Sequence, residues 1–142
     1  MKFAPLHIYS SYSFLKSGLT IEKIINAAKI NDYFGVGISD IDVMYGVPNF
    51  AIECEKINKP YIVGMEIKFD DEFLCLYAIN EIGYRNLSFI TSNIHKNIFA
   101  SEQLKTHKDG LIAILDTHNG KVNESFKNND LNDNFRKYLL EI

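Results

Sequence analysis

Tryptophan is absent from this chain, and its two cysteines, Cys54 and Cys75, are too far apart to form a Cys-x-x-Cys pair. A disulfide framework and a paired-thiol metal or redox motif are therefore disfavoured. Both thiols are expected to be reduced and buried on regular elements, as in a cytosolic protein. Positive charge is not in excess either: 15 Lys and Arg against 18 Asp and Glu give a net charge of −3. That argues against a basic surface that holds phosphates without specificity. Long apolar runs are missing too. Those present are short and interrupted by charges, so neither a signal peptide nor a spanning segment is expected, and a membrane is not an expected partner. A His-x-His pair is missing as well. In Leu6 to Ser13, LHIYSSYS, His7 is followed by Tyr9 at the position where an alternating strand returns to the same face.

What the chain does have is 46% hydrophobic residues in 142, enough to bury one real core. Abundant Ile, Asn and Lys fit an AT-rich codon bias. Phe3 to Ser10 reads as a strand containing Pro5. Thr20 can cap a helix with Ile21, Ile24, Ile25 and Ala28 at helical spacing, ended by Asn31-Asp32. Phe34 to Ser39, FGVGIS, reads as a short buried strand whose glycine permits close packing. Pro48 suits the first turn of a second helix, with Phe50, Cys54 and Ile57 inward, stopped by Lys59-Pro60. Tyr61 to Phe69 is a third strand, and Asp70-Asp71-Glu72 turns the chain into an antiparallel return over Phe73 to Ile79. A helix is expected from about Tyr84 to Phe99, with Leu87, Ile90 and Ile94 inward. A short helix follows at Ser101, then a fifth strand from Leu111 to Leu115. Lys121 to Asn134 is polar enough to favour loop or weak order, and Phe135, Tyr138, Leu139 and Ile142 then form one apolar helical stripe.

Alternating strands and helices imply an α/β fold with mainly parallel strands or a β/α barrel. Such folds gather functional residues at the carboxyl ends of strands. That rule gives His7, Tyr9, Asp40, Glu66, Asp116 and His118 a common address. The plainer reading is that strand ends are where polar residues meet water, and spacing alone favours it.

Five segments occur in order: LHIYSSYS, ISD followed by MYG, KPYIVGMEI, NEIGYRNL and GLIAIL. In that order they resemble the N-terminal polymerase-and-histidinol-phosphatase (PHP) domain of a bacterial DNA polymerase III alpha subunit. Lys59 to Glu66 and Asn80 to Leu87 are the most specific stretches. The resemblance implies a distorted β/α barrel, of which residues 1–120 would supply the first part. A polar connector and the start of a further helix would occupy 121–142. It implies a cytoplasmic bacterial chain whose parent is a DNA-directed DNA polymerase, a nucleotidyltransferase of DNA replication. Mg²⁺ would serve the parent's polymerase site, with no cofactor in this segment. The partners would be the remainder of the alpha subunit and, through it, DNA and other replisome proteins.

Carried over position by position, the resemblance implies a degenerate metal site. His7 matches the first histidine of the family's His-x-His, and Tyr9 replaces the second. Lys16 stands where the family has an aspartate. Ser39 and Asp40 match the start of Thr-Asp-His, and Ile41 replaces its histidine. Glu66 matches a ligand glutamate, and Phe73 lies near a histidine position. Asp116-Thr117-His118 spells Asp-x-His too early in the chain to be the family's terminal motif. No catalytic residue is expected, and a metal, if bound, would use His7, Asp40 and Glu66. Asp40 is expected to cap the following turn. Lys16 would either pair with Glu66 or Asp40 in place of the metal or point into solvent. A structural and interaction module follows from this set. The alternatives are an active metal-dependent phosphoesterase (a 3′–5′ exonuclease or histidinol-phosphatase-like enzyme) and an unrelated α/β domain.

Overall fold

The computed structural model describes residues 2–69, 72–94, 101–115 and 121–129. Helix α1 spans Ile21–Ile30, and its four expected apolar positions are all buried. Thr20 Oγ1 accepts from Lys23 N at 3.3 Å, satisfying one of the orphan amides of the first turn. Strand β1 (Val36–Ile41) follows, then α2 (Val47–Lys56), which opens with Pro48 and buries Phe50 and Cys54. Strands β2 (Tyr61–Phe69) and β3 (Glu72–Ala78) form the expected hairpin. Helices α3 (Glu81–Asn93) and α4 (Ser101–Thr106), strand β4 (Leu111–Leu115) and helix α5 (Lys121–Lys127) complete the elements. Among the described residues no helix is long and apolar enough to cross a membrane.

The sheet runs β1-β2-β3-β4. The β1–β2 ladder is parallel, and the β2–β3 and β3–β4 ladders are antiparallel. Three strands therefore point the same way and β3 is reversed, an open mixed sheet consistent with the expected first part of a β/α barrel. Register separates two faces, because directly paired residues project to the same side. Val36, Ile38, Met65, Ile67, Leu74 and Leu76 pack with α1, α2 and α3 into the core. Ser39, Ile41, Glu66, Cys75 and Tyr77 share the opposite face.

The expected first strand is not a ladder strand. Residues 3–10 run alongside β1 as an extended strap. The amides of Phe34, Gly37 and Ser39 donate to the carbonyls of Phe3, Pro5 and Ile8 at 2.7, 2.7 and 3.0 Å. Between the last two bonds three strap residues cover the span of two in β1, which breaks the register, and Pro5 has no amide to return. The expected close approach at a glycine occurs here: a Cβ on Gly37 would lie 2.5 Å from the Leu6 carbonyl oxygen.

Other boundaries differ: β1 runs Val36–Ile41 rather than Phe34 to Ser39, and β3 runs Glu72–Ala78 rather than Phe73 to Ile79. Helix α3 starts at Glu81 rather than Tyr84, because Asn80 Oδ1 accepts from Gly83 N at 2.9 Å and caps it early. Its expected end, residues 95–99, lies outside the described residues. The polar stretch after residue 120 begins with α5 rather than loop. Val122 is buried, and its amide donates to buried Glu72 at 2.9 Å. One apolar residue with one buried acceptor outweighs the polar composition. The stripe from Phe135 to Ile142 lies outside the described residues.

Both cysteines are buried thiols, and neither is in a disulfide. Burial first, then the charges of Glu53 and Glu55, push the Cys54 thiol from 9.0 up to about 11. Burial pushes the Tyr77 phenol from 10.0 up to about 12. Between these limits the unfolded chain loses protons that the folded chain keeps, so stability falls as pH rises. Urea denaturation is expected to give a steady midpoint below pH 8.5 and a falling one above pH 9. By pH 11 the loss from Cys54 is on the order of 2 kcal/mol. A flat midpoint to pH 11 would contradict the burial of both groups.

Candidate functional site

Glu66 sits on the face of β2 opposite Met65 and Ile67, flanked by Ile41 of β1 and Cys75 of β3 in the ladder. It is 5% exposed. Its Oε2 accepts from the Tyr9 hydroxyl at 2.7 Å and lies 2.9 Å from His7 Nε2. Cys75 Sγ–H approaches the same oxygen at 3.8 Å. An ionised carboxylate only accepts, so the His7 proton belongs on Nε2. The His7 and Tyr9 rings meet edge-on at 4.8 Å. Tyr9 thus reaches the carboxylate from the face a second histidine would use, but it offers a proton where an imidazole offers a lone pair. Gly64 makes room on this face: a Cβ there would lie 2.6 Å from Tyr77 Cδ1. That is a physical reason for the glycine in Lys-Pro-x-x-x-Gly-x-Glu.

Asp40 does not join Glu66. It pairs with Met65, one step before Ile41 pairs with Glu66, so it projects to the other face. Nor does it cap the following turn. Its Oδ1 accepts from Ser10 N at 2.7 Å and Ser13 Oγ at 2.6 Å, and its Oδ2 accepts from Ser10 Oγ at 2.6 Å. Ile41 N donates in turn to Ser13 Oγ at 3.1 Å. The 1%-exposed carboxylate therefore clamps the preceding loop to the sheet.

Lys16 is exposed and forms no ion pair with Glu66 or Asp40, which matches the solvent-pointing expectation and not the structural cation. The two carboxylates lie on opposite faces and each has its own donors, so no shared negative field calls for an ammonium. Backbone bonds from Lys16 and Ser17 to the Ser13 carbonyl, with Leu15 at φ 61°, form the turn that carries Lys16 outward. Lys16→Met is accordingly expected to leave the unfolding midpoint unchanged in urea titrations. A clear drop would mean that the ammonium has a buried partner.

The donor atoms that do converge are His7 nitrogen, a Glu66 oxygen and Cys75 Sγ, all within 4.8 Å of one another. Cys75 takes the place assigned to Asp40 in the expected trio. The sequence carried a signal for it: Asp70-Asp71 separates two strand-like runs, and the ladder pairs Phe69 with Glu72 and hence Glu66 with Cys75. Phe73 faces Lys68, one pair beyond Glu66 on that face. One imidazole, one carboxylate and one thiol are a minimal donor set for a single ion. Ile41 and Phe73 add no donor atom. A metal would have to displace the Tyr9 and His7 protons from Oε2. Asp116 and His118 lie outside the described residues.

The family model for the PHP domain matches residues 5–142. DNA polymerase III subunit alpha of Helicobacter pylori strain 26695 is 30% identical over 96% of this chain and 13% of that protein. The subunit of Bacillus subtilis is 29% identical over 86% of this chain and 12% of its own length. Among solved structures, an amidohydrolase from Chromobacterium violaceum superposes with a TM-score of 0.47 and 16% identity, over 72% of this chain and 37% of that one. The chain thus spans about one-eighth of the curated relatives it matches.

Proposed function

The chain belongs to the PHP domain family, and from that premise we propose that it is the N-terminal segment of a replicative DNA polymerase III alpha subunit, serving as a structural and interaction module without hydrolysis of its own. The observation that carries the second half is the state of Glu66. Its Oε2 is satisfied by protons from Tyr9 and His7, and apolar Ile41 stands beside it in the ladder. Paired-ion hydrolysis needs several anionic or neutral donors around two cations, and among the described residues this face supplies three. The hydrogen bonds from Tyr9 and His7 stabilise this carboxylate in the place of an ion.

The same reading assigns nucleotide polymerisation, Mg²⁺, DNA and replisome partners to the parent chain, and a cytoplasmic location to the whole. Residues 1–120 would be the barrel part, with the connector in 121–142. The loop clamped by Asp40 supports a contact role. Phe14 and Leu15 are 85% and 95% exposed, and Tyr12 of the same loop forms an edge-on pair with Tyr45. Fixed apolar side chains in water are a common mark of a surface that is covered in the assembled protein.

Elemental analysis of protein purified without chelator is the test. The expected result is less than one transition-metal ion per chain and no nucleotide release from DNA ends. Two or more tightly held ions together with hydrolysis would overturn the proposal. That outcome would favour a metal-dependent phosphoesterase, a 3′–5′ exonuclease or a histidinol-phosphatase-like enzyme, for which the His7, Glu66 and Cys75 donor set is the supporting observation.

A further inference from the structure

We propose that the outer edge of β4 docks a second copy of this chain, strand against strand and antiparallel, about a two-fold axis at Ala113. The sheet ends in β1 on one side and β4 on the other. The strap shields the β1 side, where its carbonyls accept from the amides of Gly37 and Ser39. Among the described residues no strand or loop pairs with the outer side of β4. Ile112, Ala113 and Ile114 are all exposed, the two isoleucines at 47% and 44%. Lysine, proline or a bulge ordinarily guards an edge strand against pairing. Leu111–Leu115 has no charge and no proline, and its ladder to β3 runs without a bulge.

The ladder fixes the direction of the free backbone groups. Ile79 N donates to the Gly110 carbonyl at 3.0 Å. By alternation the backbone groups of Ile112 and Ile114 face β3, and those of Leu111, Ala113 and Leu115 face outward. The Leu111 amide turns back to the Lys108 carbonyl at 3.1 Å, which ends the free edge there. The order of residues selects a second copy as the occupant. Leu-Ile-Ala-Ile-Leu reads the same in both directions. An antiparallel mate centred on Ala113 therefore sets Leu111 against Leu115 and Ile112 against Ile114. The amides of Ala113 and Leu115 then donate to the Ala113 and Leu111 carbonyls of the mate, and the reverse. Ile112 and Ile114 lie on the side of Tyr77 and Cys75, their ladder neighbours. Their counterparts join them there in one cluster of isoleucines, the kind of cross-strand packing that stabilises sheets. A self-complementary contact of this type closes as a dimer. The edge is short, which makes the dimer a weak one. It is independent of what the Glu66 face does.

Sedimentation equilibrium of the full chain, from about 5 to about 500 µM in reductant, tests the proposal. The mass should rise toward that of two chains and level there. Ala113→Pro removes an outward amide and no bond to β3, so it should keep its far-UV spectrum and hold the mass of one chain. Ile114→Lys sets an ammonium against Ile112 of the second copy and should weaken association by at least roughly tenfold. The register has its own readout. Ala113→Cys should cross-link to itself under mild oxidation, because the axis brings the two residues opposite each other. Ile30→Cys, on the exposed side of α1, should not, and the native thiols are buried. The proposal is wrong if the mass stays that of one chain, or if it grows past two. It is also wrong if folded Ala113→Pro and Ile114→Lys variants associate like the parent, or if the two added cysteines cross-link alike.

Discussion

Asp40→Ala is expected to destabilise the chain by about 3–5 kcal/mol and to free the loop that bears Tyr12, Phe14 and Leu15. The carboxylate receives three hydrogen bonds from Ser10 and Ser13, all within the buried interior. Alanine would leave the Ser10 amide and two hydroxyls without their acceptor. The amide cannot turn away, and each buried orphan costs about 1–3 kcal/mol. Asp40→Asn should lose less, because its amide oxygen can still accept from Ser10 N and a serine hydroxyl can rotate to accept from its NH₂. Urea denaturation measures the difference, and a midpoint within 1 kcal/mol of wild type for Asp40→Ala would remove the clamp from consideration. The loop has a separate readout: proton resonances of Tyr12 and Phe14 should lose dispersion in the alanine variant.

The second large effect is expected at Gly83. Helix propensity alone predicts that alanine in place of glycine gains about 1 kcal/mol. Here the sign should reverse, with a loss of about 3 kcal/mol or more. A Cβ at Gly83 would overlap the backbone carbonyl of Gly110, a contact that no side-chain rotation relieves. That carbonyl accepts from Ile79 N at 3.0 Å, and Asn86 Nδ2 donates to the neighbouring Asp109 carbonyl at 2.8 Å. The start of α3 and the turn before β4 are thus fitted backbone to backbone. Gly18→Ala, where nothing lies within 4 Å of the added carbon, is the matched control and should be neutral. Thermal melts of the pair decide it: equal melting temperatures would show that the turn yields.

These two positions also mark what was legible in the sequence. Asn80 to Leu87 stood out as a motif, and its physical content is the capping asparagine, the close approach at Gly83, the tether from Asn86 and the core contact of Leu87. The side of the sheet taken by Asp40 was legible too. It has the parity of Val36 and Ile38, both core residues, which excludes a shared face with Glu66. Reading Asp40 as a ligand set that alternation aside. Other features had no local signal. The left-handed turn at Leu15 uses a residue with no preference for it, so the outward path of Lys16 follows from tertiary contacts. The irregular strap could be only half anticipated, from Pro5. In α5 one buried valine was hidden in a polar stretch, because composition averages over the contact that matters.

The strap gives the chain a direction of assembly. Its carbonyls meet β1 in parallel, so residues 2–69 form three extended runs joined by two helices. The contacts that bind both carboxylates close loops of 27, 30 and 57 residues within that stretch. Loop-closure entropy rises slowly over such lengths, and a nascent chain emerges N-terminus first. Asp40 and Glu66 therefore have all their oxygen and nitrogen donors in hand as soon as β2 has left the ribosome. The thiol of Cys75 comes later, with a hairpin that adds to the far edge of β2.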